Sequence, residues 1–449
     1  MGAEVLTQPA RDDQRTTSSA LRRWLLAATW LLAIIAGGMY IYAATLVTQD
    51  VDDYHCYALA FWRGARAVAS FDAAGMCLTP VSTFSALPFH TLPAEYGPLA
   101  LLTFLPPLLA PAAWYDMAFC VEMALVALAI AWLLNRYGAR GAGIVWLVYA
   151  LLGCWTLTAG RFDVAPAACV VVAIIAARRG ALRWAYVALA LGTLMKLYPL
   201  ALLPLLLIES WRNRKHEPLW RGPALFAAII GVVEGLAALA APASVLGPLG
   251  FMGARCVQIE SLPATFGALW AHALHVEPQF PYAFNSTCEL TPGIGAAQMV
   301  ALALGLIGIA LTLALYWRRR VTLGLAALLI VGSLIVGSKV FSPQYLLWLS
   351  PLVALEYGAD ALPLLAWGAV CLLTTLCFPY SYNGTLGDAV GQPPLTMIML
   401  TAGARNLLLL ALGGFVLVWH TLWRARPARL SPATSARLPT RGHPTGDAP

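Results

Sequence analysis

The chain has 449 residues, of which 60% are hydrophobic and 11% charged, against about 25% charged in an average soluble domain. So much apolar surface needs lipid as its solvent, which excludes a soluble enzyme, a disordered protein and a nucleic-acid binder; apolar runs along the whole length also exclude a single-span receptor. The net charge of +7 comes from short arginine clusters between those runs, the pattern by which a polytopic protein marks its cytoplasmic side.

Residues 1–20 are polar and read as a disordered cytoplasmic N-terminus. Arg22 and Arg23 then precede an apolar run to about Val47, too long for a signal sequence and read as an uncleaved first span. A polar stretch over about residues 48–96 carries Asp50, Asp52, Asp53, Asp72 and Glu95 against Arg63 and Arg66, and is assigned outside the cytoplasm. Gly97 to Ala113 contains Pro98, Pro106, Pro107 and Pro111. Prolines break regular helix, so this piece reads as interfacial or re-entrant.

Met117 to Leu134 then runs inward to Arg136 and Arg140, and Gly143 to Ala159 outward to Arg161-Phe162-Asp163. Val164 to Ala177 returns to Arg178, Arg179 and Arg183. Tyr186 to Ile208 must leave and come back, yet is too short for two spans of about 20 residues. It is expected to form a helix–break–helix hairpin with its apex near Lys196-Leu197-Tyr198-Pro199, because the residue before a proline disfavours helix. Pro223 to Ala240 runs out to a second polar loop over about residues 241–294, and Met299 to Tyr316 returns to Arg318, Arg319 and Arg320. Thr322 to Val336 runs out, Tyr345 to Leu355 in, Leu362 to Phe378 out and Thr396 to Trp419 in. Residues 424–449, rich in Pro, Arg and Ser, read as a disordered cytoplasmic tail.

The expected architecture is therefore all-α: one polytopic domain over residues 21–423, with about 10–12 transmembrane helices, re-entrant segments and two larger extracytoplasmic loops. Of the 28 Lys and Arg, only Arg63, Arg66, Arg161, Lys196, Arg255, Lys339 and Arg405 depart from the cytoplasmic assignment, which makes them candidates for function. The outer-loop cysteines Cys56, Cys77, Cys256 and Cys288 allow two disulfides, most simply one per loop. Cys120, Cys154, Cys169, Cys371 and Cys377 read as packing residues. No metal-ligand spacing, P-loop or dinucleotide-binding pattern occurs, so neither metal nor cofactor is expected.

Four constellations could carry chemistry. The first is Asp50-Val51-Asp52-Asp53-Tyr54-His55-Cys56-Tyr57, with His90 and Glu95-Tyr96-Gly97-Pro98-Leu99 downstream; it fits either a general base at the membrane surface or a solvated acidic loop. The second is Arg161-Phe162-Asp163, which also fits an ion pair joining two helices. The third is Lys196, whose charge costs about 2.5–3.5 kcal/mol at the centre of a span. An anionic partner is expected there, a lipid phosphate being the natural one, and methionine is expected to be tolerated in its place. The fourth is Lys339 with Ser342, Gln344 and Tyr345, a phosphate contact or a snorkelling lysine. Arg405 is a structural partner for Glu234 or Glu122 on the same reading. One carboxylate with several cations suits sugar transfer from a lipid phosphate: the acceptor hydroxyl needs a base, and the phosphate leaving group needs cations rather than an acid.

The ordered set Asp53 to Tyr57, Glu95-Tyr96-Gly97-Pro98-Leu99, Arg161-Phe162-Asp163, Lys196-Leu197-Tyr198-Pro199 and Lys339-Val340-Phe341-Ser342-Pro343-Gln344-Tyr345 resembles the polytopic GT-C glycosyltransferases, most closely glycosyltransferase family 87. The family usually has proline where Gly97 stands, a departure expected to loosen this loop. The resemblance implies inverting transfer of a sugar, mannose in the polyprenol-phosphate-mannose-dependent members, from a polyprenyl-phosphate donor to a lipid or glycan acceptor of the cell envelope. It implies a multi-pass cell-membrane enzyme with both termini cytoplasmic, surrounded by membrane lipids and needing no nucleic-acid partner. Residue by residue it points to Asp53 as the base, with the adjacent Asp52 left open, and to Lys196, Arg161 and Lys339 at the donor phosphate. His55, Tyr57, Glu95, Tyr96, Asp163, Tyr198, Gln344 and Tyr345 would contact substrate. A transporter or flippase for a lipid-linked or anionic substrate is the alternative reading of the same cations.

Overall fold

The computed structural model describes residues 49–64, 67–68, 92–93, 95–214, 218–241, 247–284, 286–382 and 395–422. The expected first span, Cys77, His90 and both expected disordered tails lie outside the described residues. What is described is almost entirely helical: α1 (Gln49–Arg63), α2 (Tyr115–Tyr137), α3 (Ala142–Gly160), α4 (Val164–Arg178), α5 (Leu182–Met195), α6 (Leu203–Arg212), α7 (Arg221–Ala240), α8 (Gly247–Ala254), α9 (Leu262–Leu274), α10 (Ile294–Trp317), α11 (Leu323–Gly337), α12 (Leu346–Tyr357), α13 (Ala361–Thr375) and α14 (Leu395–Leu422).

Six apolar helical stretches among the described residues are long enough to cross a bilayer: Ala112–Tyr137, Ala142–Gly160, Arg221–Ala240, Ile294–Trp317, Ala361–Ser381 and Thr396–Leu422. At 1.5 Å per residue, about 20 residues match a hydrocarbon core of about 30 Å. The chain is thus an all-α, multi-pass membrane protein. α4, α5 and α11 are apolar but shorter, and α12 has only 12 residues, with Leu346 through Leu355 all buried. Such elements are enclosed by neighbouring helices and need not match the bilayer. Their boundaries agree with the short sequence segments after Asp163 and Gln344. α3, α4, α5, α11 and α12 supply most of the central core, while α7 and α14 turn most of their apolar surface outward.

The four prolines divide residues 98–114 into 3₁₀ turns at Pro98–Ala100, Pro106–Leu109 and Ala112–Trp114, with a single α-turn at Leu101–Phe104 between the first two. This is the broken segment the sequence predicts. The Lys196 hairpin also forms. α5 ends at Lys196, whose backbone is extended (φ −153°, ψ 139°), and a 3₁₀ turn over Tyr198–Leu202 leads into α6. A 2.9 Å hydrogen bond between the hydroxyls of Tyr186 and Ser210 joins the two legs 24 residues apart, so the apex lies midway, at Tyr198.

The polar stretch before residue 64 is a helix rather than a loop, and the second large loop is ordered too. It contains α8, α9 with Ser261 as its N-cap, and a two-stranded hairpin, β1 (Tyr282–Ala283) and β2 (Ser286–Thr287). A Cys256–Cys288 disulfide closes it. Cys56 is disulfide-bonded as well, consistent with one bridge per loop.

The charges separate along the bundle axis. At one end, Arg178 pairs with Glu356, Arg212 donates to the Tyr316 carbonyl, the Arg140 carbonyl accepts from Ala359 N–H at 3.0 Å and Arg320 reaches the Thr421 carbonyl. The helix junctions at Arg161, Lys196 and Lys339 all lie at the other end.

Candidate active site

α1 opens with Gln49-Asp50-Val51-Asp52-Asp53, and residues three and four apart share a helix face. Asp50 and Asp53 therefore point one way, together with Tyr54 and Tyr57, and Asp52 another. Asp50 forms an ion pair with Arg161, which stands at the α3–α4 junction. Asp53 shares its surroundings with Asp50, Glu95 and Arg161; burial, then the neighbouring Asp50 and Glu95 charges, pushes its carboxyl up to about 7. Asp52 is more open; burial, then the Asp116 and Asp50 charges, raise it to about 6. His55 lies on a different face again, stacked at 3.9 Å on Tyr115, and burial with the nearby Arg63 charge lowers it to about 4. It is a neutral ring at pH 7.

Behind this face is an aromatic wall. Tyr54 stacks on Phe104 at 4.5 Å and meets Phe162 edge-on at 5.6 Å, while Tyr57 meets Tyr96 edge-on at 6.2 Å. Tyr96 packs on Phe162 at 4.7 Å. Glu95 precedes this contact; burial raises its carboxyl above the ordinary range and the Arg255 charge opposes that shift.

The second focus is Lys196. Its Nζ donates to Asp163 Oδ1 at 2.7 Å, and the same oxygen accepts from Trp348 Nε1 at 2.7 Å. Asp163 is 1% exposed. The ammonium lies 5.2–5.7 Å from the ring centres of Tyr96, Phe162, Tyr345 and Trp348, within cation–π range. Trp348 is itself sandwiched between Tyr198 at 4.0 Å and Tyr345 at 3.9 Å. The anionic partner of Lys196 is thus Asp163, supplied by the chain. The expected anionic partner, for which a lipid phosphate is the natural candidate from sequence, is present within the chain itself.

Gly97 does not loosen its loop. Its N–H donates to the Met195 carbonyl at 3.2 Å, which a proline could not do. A Cβ at this position would stand 2.1 Å from the Leu194 carbonyl oxygen. Close approach to the end of α5 is what requires glycine, and this contact brings Glu95 and Tyr96 beside Lys196. Gly97→Ala should force the two segments apart and lower stability by about 1–3 kcal/mol, the usual cost of overpacking; thermal unfolding of the purified variant in detergent checks this.

Lys339 stands apart from Lys196, its Nζ donating to the Gly253 carbonyl at 2.9 Å. Ser342 donates to Gln258 Oε1 at 3.1 Å, and Gln344 lies in the 3₁₀ turn that carries Tyr345 into α12. Arg405 meets neither Glu234 nor Glu122. Fully buried, it donates to the Glu260 carbonyl at 2.7 Å and lies over the Phe341 ring at 3.8 Å. Asn406 bonds the same carbonyl at 2.9 Å, so these two residues fasten the Glu260 and Phe341 segments to α14. No group of three or more His, Cys, Asp or Glu side chains able to hold a metal occurs among the described residues.

Residues 95–343 match glycosyltransferase family 87, more than half of the chain. The protein belongs to this family. No curated protein matches it. This family 87 protein is accordingly a membrane glycosyltransferase. The matched region runs from Glu95 to Pro343 and contains Arg161, Asp163, Lys196, Tyr198 and Lys339; α1 precedes it, and Gln344 and Tyr345 follow directly. Four residues to which the family resemblance gives no role join this site: Asp50, Phe162, Arg255 and Trp348. For Asp50 a signal existed in its three-residue spacing from Asp53. Arg255 departs from the cytoplasmic charge pattern and Phe162 lies inside a motif, but only the folded geometry gives these two and Trp348 their places here.

Proposed function

We propose that this glycosyltransferase moves a sugar, mannose by family analogy, from a polyprenyl-phosphate donor to a lipid or glycan acceptor of the cell envelope, on the extracytoplasmic side of the cell membrane. The supporting observation is a half-buried carboxylate, Asp53, that has a raised proton affinity and no ion-pair partner among the described residues, beside ion-paired cations and an aromatic wall. In the reaction, the acceptor hydroxyl oxygen attacks the anomeric carbon while the bond from that carbon to the phosphate oxygen breaks. The bonding electrons leave on the phosphate, and Asp53 takes the hydroxyl proton. A general base works best with its pKa near the working pH, which a carboxyl near 7 meets. The phosphate needs positive charge and hydrogen-bond donors, the part proposed for Arg161, Lys196 and Lys339. Lys196 has two further donor hydrogens beyond its bond to Asp163. Tyr57, Tyr96, Tyr198 and Tyr345 offer ring faces, and Glu95, Asp163 and Gln344 polar groups, to the substrates.

Only the deprotonated Asp53 accepts a proton, so activity should rise with pH. With a carboxyl near 7, turnover should increase about tenfold from pH 6 to pH 8 and then level off. A flat profile over that range excludes Asp53 as a rate-limiting base. The donor class is tested by product inhibition: free polyprenyl phosphate, the leaving group, should compete with the donor, and a nucleoside diphosphate should not.

The side of the membrane follows from the arginine-rich end facing the cytoplasm. Tyr282, 68% exposed in the β1–β2 hairpin, and Trp220, 67% exposed beside α7, mark the two ends. In intact cells, Tyr282→Cys should react with an impermeant maleimide and Trp220→Cys should not. The opposite labelling pattern reverses the orientation.

A further inference from the structure

Four of the cations at the site end of the bundle, Arg161, Lys196, Arg255 and Lys339, fall into two kinds. Arg161 and Lys196 are each paired with a carboxylate, Asp50 and Asp163. Arg255 and Lys339 form no ion pair among the described residues. They are close neighbours: Lys339 Nζ bonds the carbonyl of Gly253, two residues before Arg255, and the Lys339 carbonyl accepts from Gln258 N–H at 2.9 Å. Two like charges held together repel, and an anion between them relieves the repulsion.

The Arg255 side chain has donors to spare. Its Nη2 reaches Ser286 Oγ at 3.3 Å, a long bond, while Nε is buried without a partner. A buried N–H left unsatisfied is costly. Its backbone is firmly held. The next residue, Cys256, is bridged to Cys288; Glu289 N–H bonds the Val257 carbonyl at 2.8 Å and Ile259 N–H the Thr287 carbonyl at 3.0 Å. The guanidinium charge bears on Glu95 and Tyr345 as well as on Lys339, which sets it among the residues already described. A rigidly mounted arginine with free donors, next to a second unpaired cation, matches the bidentate geometry of a phosphate.

We infer that Arg255 is a direct ligand of the donor phosphate, acting with Lys339, whereas Arg161 and Lys196 contribute charge from positions fixed by Asp50 and Asp163. This rests on the donor proposed above being a polyprenyl phosphate. In that arrangement the disulfide-closed second loop binds the leaving group, and α1 supplies the base opposite it.

The test is binding of polyprenyl phosphate, and of the uncharged polyprenol, to the full-length protein in nanodiscs. Arg255→Gln should weaken polyprenyl-phosphate binding by about ten- to a hundredfold, the usual effect of losing charge-assisted hydrogen bonds. Arg255→Lys, which keeps the charge but loses the fork, should fall between wild type and Arg255→Gln. Polyprenol binding should be unchanged in both, which also reports that the fold is intact. Ser286→Ala, which removes only the tether of the loop, should leave phosphate binding within about threefold of wild type. Equal polyprenyl-phosphate binding by wild type and Arg255→Gln overturns the inference alone, as does a loss in Arg255→Gln that Ser286→Ala reproduces, because Arg255 then acts through the loop. Failure of the wild type to prefer polyprenyl phosphate over polyprenol overturns the donor reading, and the inference with it.

Discussion

Asp53→Asn should lower turnover by about 10²–10⁴, the usual loss on removing a general base, while leaving donor binding close to that of the wild type. The amide keeps the size and much of the hydrogen bonding of the carboxyl but cannot accept the hydroxyl proton. Asp52→Asn should cost far less, because Asp52 occupies another face of α1, where the charge that acts on it most is Asp116. Asp50→Asn is informative for a different reason. It removes the partner of Arg161, so it should disturb both donor affinity and stability, whereas Asp53→Asn should disturb turnover alone. Steady-state rates and polyprenyl-phosphate binding, measured for the three variants, separate the base from its neighbours. A dead Asp52→Asn beside a near-normal Asp53→Asn moves the base by one residue.

The second large effect is on stability. Lys196→Met should destabilise the protein by about 3–5 kcal/mol, the cost of breaking a buried ion pair from one side. Asp163, 1% exposed, would lose its ammonium partner and be left with the Trp348 indole N–H at 2.7 Å and the Arg161 charge. Asp163→Asn in the same background should recover much of the loss, since both charges are then gone and the aromatic rings around Lys196 can enclose a thioether. The four variants form a double-mutant cycle, read by thermal or denaturant unfolding in detergent. A stable Lys196→Met protein would mean that the pair contributes little and that Lys196 is held for its substrate.

The helices of the bundle were legible because lipid imposes a simple rule: each span must be long, apolar and internally hydrogen-bonded. Clusters such as Arg178-Arg179 and Arg318 to Arg320 then marked the ends, and all of these meet at one end of the structure. The broken segment after Gly97 and the hairpin at Lys196 were legible because proline acts locally. The polar regions gave less. The Asp50 to Arg63 stretch has the spacing of a helix in Asp50, Asp53, Tyr54 and Tyr57, but its polarity between two apolar regions resembles a loop. The second loop is held by a disulfide, one strand pair and the buried side chains of Arg405 and Asn406, contacts that join distant parts of the sequence. The motif residues Glu95, Arg161, Asp163, Lys196 and Tyr345 were found individually, yet their partners were not. Which donors meet Asp163 depends on how segments separated by 33 to 185 residues dock, and no local pattern encodes that. Gly97 shows the same limit: its absent side chain matters only because α5 ends against it.

Sugar transfer from a lipid phosphate is measured most directly as product formation by the purified protein in liposomes. The reaction contains polyprenyl-phosphate mannose labelled in the sugar, a lipid extract of the cell envelope as acceptor, and no nucleotide sugar. Labelled acceptor and free polyprenyl phosphate should form in equal amounts, with inversion at the anomeric carbon, and both products should be lost in Asp53→Asn. Labelled donor that crosses the bilayer intact, equally in wild type and Asp53→Asn and without release of polyprenyl phosphate, would contradict sugar transfer.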